Sequence, residues 1–243
     1  MTSMKRCSCL LLGLFVLPSA AIAWEIGPTV SYAAADKSLS VNGRLVNLKS
    51  GGIGVRVGES FLRGHVALDA SALYGYSGSA SATFSGAAVS GPANLTTTQI
   101  NATIYWRPDS SVTPYVRWGD VRRRGDTAFA GTRNGVPVVG RADLEFDQSE
   151  LSVGLRLQTS GGLSFFAESG QNDWRLNSDA NGTLGALNAR TQIQASHSDP
   201  FTRFGLGVVG KAWRGSLSLG EYRMTADNQT KTRSIDASLM YAF

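Results

Sequence analysis

The sequence predicts an all-β fold, a transmembrane antiparallel up-and-down β-barrel of ten strands. Three observations carry that expectation. Short segments with apolar residues at every second position recur along the chain, the connections between them alternate short and long, and the final nine residues form a strand with one apolar face. Strand side chains point alternately to opposite faces, so this pattern describes strands apolar on one side. Past residue 23 no apolar run approaches the ~20 residues of a membrane helix.

The strands follow in order. Trp24, Ile26, Pro28, Val30 and Tyr32 mark the first; Ile53, Val55 and Val57 the second; Val66, Leu68, Ala70, Ala72, Tyr74 and Tyr76 the third. Ile100, Ala102, Ile104 and Trp106 define the fourth, and Val112, Pro114, Val116 and Trp118 the fifth. Leu151 to Leu157, Leu163 to Ala167, Phe204 to Val208, and Leu217 with Leu219 give the sixth to ninth; the tail from Ile235 to Phe243 is the tenth. Eight strands result if the ninth segment is misread, and twelve if the fourth long connection carries a barrel hairpin. Trp24, Trp106, Trp213, Tyr241 and Phe243 fall near one set of strand ends, and Tyr74, Tyr76, Trp118 and Tyr222 near the other, as interfacial aromatic belts would. Glu221 is out of place, in phase with Leu217 and Leu219. Either a bulge at Gly220-Glu221 turns it inward or the membrane border lies lower there.

Four connections are short and rich in turn residues: Glu59 to Gly64, Arg107 to Ser111, Thr159 to Gly162 and Lys211 to Gly215. Five are long: Asp36–Ser50, Ser77–Asn94, Arg122–Asp143, Gly170–Pro200 and Thr225–Thr232. Transmembrane barrels have short periplasmic turns and long extracellular loops, so both termini are expected in the periplasm. Asn-Gly, which favours hairpin turns, occurs in three of the long connections. Asn42-Gly43 and Asn134-Gly135 have apolar flanks and read as hairpins that raise the wall above the membrane. Asn181-Gly182 reads as a plain turn.

The first 23 residues read as a cleaved secretory signal. Lys5 and Arg6 precede the apolar stretch Cys9 to Pro18, and Ala21-Ile22-Ala23 has the small-x-small pattern of a signal-peptidase site. Residues 24–243 then form a single barrel domain. Cleavage removes Cys7 and Cys9, leaving no thiol for a disulfide or metal site. It also lowers the net charge from +5 to +3, a mild value that gives no case for nucleic-acid binding.

If the apolar set faces lipid, the intervening residues face the lumen: Arg56, Asp69, Gln99, Asn101, Tyr105, Tyr115, Arg117, Arg156, Glu168 and Asp236. Three arginines match three carboxylates. Buried charge is costly unless paired, so the set implies a salt-bridged, largely filled interior; a narrow polar channel would show the same residue types. Arg122-Arg123-Arg124 follows the fifth strand at the outer rim. Arginine pairs with phosphate in bidentate fashion, so the run is a candidate lipopolysaccharide contact, with a solvated loop base as the plain alternative. Arg124-Gly125-Asp126 spells an integrin-binding tripeptide, a short match that arises readily by chance.

The tail supplies a resemblance. Ile235, Leu239, Tyr241 and the final Phe243 resemble the C-terminal assembly signal of bacterial outer-membrane β-barrels. In plan the whole mature chain is similar to the opacity-protein and OmpA-like barrel group. The resemblance implies residence in a Gram-negative outer membrane and insertion by the barrel-assembly machinery. Contact with lipid and lipopolysaccharide and a monomeric state are expected alongside it, and the sequence carries no cofactor motif or dense metal-ligand cluster. Roles in the group range from membrane integrity and adhesion to minor solute passage, and fold does not choose among them. The expected function is non-enzymatic, structural and surface-contacting, with a narrow solute channel as the alternative. A lipid hydrolase or acyltransferase is the third class; its candidate is His197 in Ser196-His197-Ser198-Asp199, although sequence neighbours on a strand point to opposite faces. The paired aspartates of ten-stranded outer-membrane proteases are not evident.

Overall fold

In the computed structural model, the described residues are 24–243 apart from 36–38, 42–43 and 225–229; the side chains of 35–48, 50, 76–79 and 223–230 are likewise outside the description. The expected signal segment and the hairpin turn expected at Asn42-Gly43 therefore lie outside the described residues.

Eleven strands form one antiparallel sheet. They are β1 (Trp24–Ala35), β2 (Leu39–Val41), β3 (Arg44–Phe61), β4 (Val66–Phe84), β5 (Ala87–Tyr105), β6 (Val112–Arg133), β7 (Val136–Gln158), β8 (Leu163–Leu184), β9 (Leu187–Val209), β10 (Trp213–Met224) and β11 (Thr230–Ala242). Each barrel strand pairs with its neighbours in sequence, and β1 pairs with both β11 and β3. That last pairing closes the sheet, leaving ten barrel strands with β2 as a short partner of the far end of β3. At the level of β10 closure leaves no unpaired edge; beyond Phe201 toward its tip β9 pairs with β8 alone. The last residue is held as well: the Phe243 amide donates to the Trp24 carbonyl at 3.0 Å.

Along each strand the expected outward set is exposed. Ile53, Val55, Tyr74, Ile100, Ile104, Val116, Trp118, Leu151, Val153, Leu155, Phe204, Leu206, Leu217, Leu219, Ile235 and Leu239 all face outward. Together they form an apolar band around the half of the barrel that holds Trp24 and Phe243, the terminal end. Trp24, Trp106, Trp213, Tyr241 and Phe243 edge this band at the terminal end, with Tyr74 and Trp118 on its other border. Tyr222 leaves the expected belt: it points inward and is buried. The strand continues past its last apolar marker, and alternation carries Tyr222 to the inside. The side chain of Tyr76 lies outside the described residues.

At the far end the long connections are mostly strand. β4 and β5 run to a two-residue turn at Ser85-Gly86, β6 and β7 to Asn134-Gly135, and β8 and β9 to Gly185-Ala186. Ser85, Gly86, Asn134 and Gly135 all have positive φ, the requirement of a hairpin turn whose twist matches its strands. The hairpin expected at Asn134-Gly135 is present. Asn181-Gly182 is no turn; it lies within β8, with Asn181 paired to Arg190. The fourth long connection extends β8 and β9 and adds no barrel strand. No bulge occurs at Gly220-Glu221 either. Both ladders of β10 run through in register, and Glu221 stays outward, paired with Lys231 at 2.9 Å and Arg233 at 3.6 Å. The border of the apolar band lies lower there.

In this far half β5 to β9 keep the phase of their alternation, while β4 shifts by one residue between Gly75 and Gly78, and the residue types exchange sides. Val89, Ala93, Leu95, Val121, Phe129, Ala142, Leu144, Trp174, Leu176 and Ile193 are buried inside, whereas Asn94, Thr96, Arg122, Arg124, Asp126, Asp143 and Glu145 are exposed outside. Near the tips Phe84, Ala87, Val89, Phe129, Val138, Ala142 and Ala180 pack into an apolar core. Its Phe84 and Phe129 rings lie 5.0 Å apart. Hydrocarbon outside a strand selects apolar-out residues, and water outside selects the reverse. The exchange of sides marks where the surroundings change.

Candidate functional site: a braced lumen between two chambers

The inward side chains at the level of the apolar band build one hydrogen-bonded network. Its centre is Arg203 on β9, 4% exposed. Nη1 of Arg203 donates to Glu168 of β8 at 2.5 Å, and Nη2 to Glu150 of β7 at 2.8 Å and to the Tyr222 hydroxyl of β10. Glu168 also accepts from the Tyr115 hydroxyl at 3.0 Å and from Arg117 at 3.2 Å, both on β6. Arg117 donates onward to the Asn101 side-chain oxygen at 2.8 Å, where Gln99 donates too. Asn101 donates to Asp69 of β4 at 2.8 Å, and Asp69 pairs with Arg56 of β3 at 2.8 Å. Arg56 reaches Ser238 of β11 at 3.4 Å, and Ser238 shares a 2.7 Å hydrogen bond with Ser216. In the other direction Gln148 donates to Glu150 at 2.6 Å and accepts from Arg123 at 3.1 Å. The network thus takes a side chain from every barrel strand except β1.

Charge placement explains the arrangement. Arg203 and both its carboxylate partners are at most 5% exposed at their side chains, so each charge depends on the others for what water would have supplied. Glycine makes room for part of the packing. A Cβ at Gly154 would fall 2.4 Å from the Tyr115 ring, so the absence of a side chain there lets Tyr115 lie across β7 and reach Glu168.

Of the lumenal residues read from the sequence, Arg56, Asp69, Gln99, Asn101, Tyr115, Arg117 and Glu168 come together in this network. Arg156 faces the lumen nearer the terminal end; it bonds the Pro108 carbonyl at 3.2 Å and lies over the Tyr105 ring at 4.5 Å. Asp236 faces inward and accepts from Ser234 at 3.5 Å. Arg203, Glu150 and Tyr222 escaped the sequence reading. Glu150 and Arg203 immediately precede Leu151 and Phe204, the first apolar markers of their segments, and alternation alone would have placed them inside.

Arg122-Arg123-Arg124 lies within β6 and is split by the same alternation. Arg122 and Arg124 face outward just beyond the apolar band; Arg122 pairs with Asp120 at 3.0 Å and Arg124 with Asp147 at 2.6 Å. Arg123 points inward, over the Phe146 ring at 5.2 Å, so it is not part of an outward triple. Ser196 and Ser198 take the face of β9 opposite to His197 and Asp199. Asp199 is fully buried and accepts from the Trp174 indole at 2.6 Å, a wall contact rather than a triad. Among the described residues no group of three metal-ligating side chains is present.

The network divides the lumen into two chambers. The one toward the terminal end is polar, lined by Glu25, Arg56, Glu59, Asp69, Tyr105 and Arg156, and encloses about 1520 Å³ including open solvent. The far chamber is mainly apolar, lined by Leu73, Val121, Phe129, Leu144, Leu176 and Ile193, and encloses about 1620 Å³ on the same measure.

The structural comparisons return barrels of the outer membrane. The translocator domain of the autotransporter NalP from Neisseria meningitidis matches with a TM-score of 0.55 at 11% identity, over 96% of this chain and 93% of that one. The outer membrane protease OmpT from Escherichia coli matches at 0.58 and 7% identity, over 91% and 96%. The fold is that of an outer-membrane β-barrel. The β-domain of the Bordetella autotransporter BrkA agrees, at 0.50 and 13% identity over 91% and 100%. At these identities the likeness to the barrels is one of fold alone. No protein-family model and no curated protein sequence matches the chain.

Proposed function

We propose that this chain is an integral outer-membrane barrel with a non-enzymatic role, both termini periplasmic, working as a rigid structural and surface-contact element rather than a pore. The network across nine of ten strands carries this reading. A conducting lumen needs a continuous wet path, and ions cross poorly where buried charges already satisfy one another from wall to wall. The outer-membrane fold of the comparison structures and the apolar band support the location. Insertion by the barrel-assembly machinery and a monomeric state go with it.

The outward charges beyond the band fit contact with lipopolysaccharide. Arg122 and Arg124 sit where its phosphates would lie, and guanidinium binds phosphate through paired hydrogen bonds. Both are now held by half-buried acidic partners, Asp120 and Asp147, with which phosphate would compete.

The polar chamber favours one rival, a narrow solute channel. Planar-bilayer recording decides between them. The purified barrel, folded as shown by heat-modifiable gel mobility, is expected to give no steady single-channel steps. Regular steps in the wild type that change size in Arg117→Gln would overturn the braced-barrel reading.

A further inference from the structure

We propose that the far chamber binds an amphiphile with a single anionic head group, its apolar chain against the chamber wall and its head at Arg123. The wall is the inward face of the extended strands, with Leu73, Val121, Leu144, Leu176 and Ile193 around a space of about 1620 Å³, open solvent included. A polar ledge lies at its base, where the apolar lining meets the network.

Two observations on the ledge point to an anionic ligand. Arg123 lines the chamber, and its hydrogen bond is to the neutral Gln148; among the described residues it has no carboxylate within salt-bridge distance. A guanidinium that touches no carboxylate keeps hydrogen-bond donors to offer an anion. Arg203 Nε, buried on the same ledge, is a donor with no acceptor. A carboxylate or phosphate accepts from the two arginines, and the chain behind it occupies the apolar space. Asp236 lines the same chamber and is the charge such a head must compete with.

The experiment uses the full mature barrel in phosphatidylcholine nanodiscs with [1-13C]dodecanoate, read by carbon NMR. The wild type is expected to show a carboxyl resonance absent from empty nanodiscs. Arg123→Gln should weaken binding about tenfold or more, the usual weight of a charged hydrogen bond, and Arg123→Lys should restore most of it. Asp236→Asn should tighten binding, and Val121→Trp, two residues from Arg123 on the same inward face, should abolish it by blocking the ledge. Gel mobility and circular dichroism confirm that each variant is folded. Adding phosphatidylglycerol separates two sources of the head: displacement assigns the site to a membrane lipid, and none assigns it to a single-chain acid. Either result supports an anionic amphiphile. The proposal is overturned if no protein-dependent resonance appears. It is also overturned if Arg123→Gln and Val121→Trp both bind as the wild type does, or if dodecyltrimethylammonium displaces as well as unlabelled dodecanoate. None of these outcomes depends on whether the barrel conducts.

Discussion

Arg203 holds two carboxylates and a phenol at once, so removing it leaves Glu150 and Glu168 buried with their main counter-charge gone. Breaking a buried pair from one side costs about 3–5 kcal/mol, whereas a pair replaced whole by apolar groups is often neutral. Arg203→Met is therefore expected to lower unfolding stability by about that amount in urea titrations of the barrel in vesicles. Arg203→Met combined with Glu150→Leu and Glu168→Met should recover a large part of the loss. Gly154→Ala tests the same network from its packing side: it pushes Tyr115 off Glu168, and the Tyr115 hydroxyl should lose its hydrogen-bonded signature in vibrational spectra. A different residue pair answers to pH. On the exposed far wall Arg190 hydrogen-bonds Asp179 and holds its carboxyl below the ordinary value. A carboxylate depressed in the folded state contributes above its unfolded pKa of about 3.9 and loses that contribution as pH falls through its folded value. Hydrogen exchange in the tip of the β8–β9 hairpin should accordingly quicken, relative to the tip of β6–β7, only below about pH 4.

At the level of elements, the far hairpins β4–β5, β6–β7 and β8–β9 depend on their turns. Gly135 has φ +78° with nothing near its missing Cβ, so Gly135→Ala tests backbone strain without a clash. The expected cost is about 1–2 kcal/mol, seen as roughly 5–30-fold faster exchange at that tip and little change elsewhere. The same hairpins show what the sequence made legible. The lower halves of the strands were readable because bilayer hydrocarbon demands an apolar residue at every outward position. Ile53, Val55 and Val57 on β3 declare their own face, as do Val153, Leu155 and Leu157 on β7. The upper halves keep the same period with the opposite assignment, so Val121 and Leu144 inside look like scattered apolar residues between polar ones. The turns split along the same line. Asn134-Gly135 carried a recognisable pair, Ser85-Gly86 and Gly185-Ala186 did not, and Asn181-Gly182 carried the pair without the turn. Half of the brace was visible as matched charges, but its hub was hidden because Arg203 sits one residue outside an apolar run.

For the whole molecule, strand length sets the outline. β4 to β9 have 19 to 23 residues, whereas β1, β10 and β11 have 12 or 13. One flank of the barrel is therefore a tall, twisted screen and the other a low sill. From Asp147, beside the apolar band, to Val136 at the tip is 11 residues of unbroken strand, which at ~3.3 Å each and a tilt of about 40° lifts the tip roughly 28 Å above the lipid. A fluorophore on a cysteine placed at Asn134 should report that separation from a bilayer-bound acceptor, while one at Glu221 should sit almost in contact with it. In the proposed orientation, with the termini periplasmic, anything too large to slip between neighbouring barrels, an antibody or a phage tail, meets the cell on this side as stiff β-ribbon rather than as yielding coil. Recognition of the molecule from outside is then a matter of fitting a fixed shape, with little freedom for the surface to mould itself around its visitor.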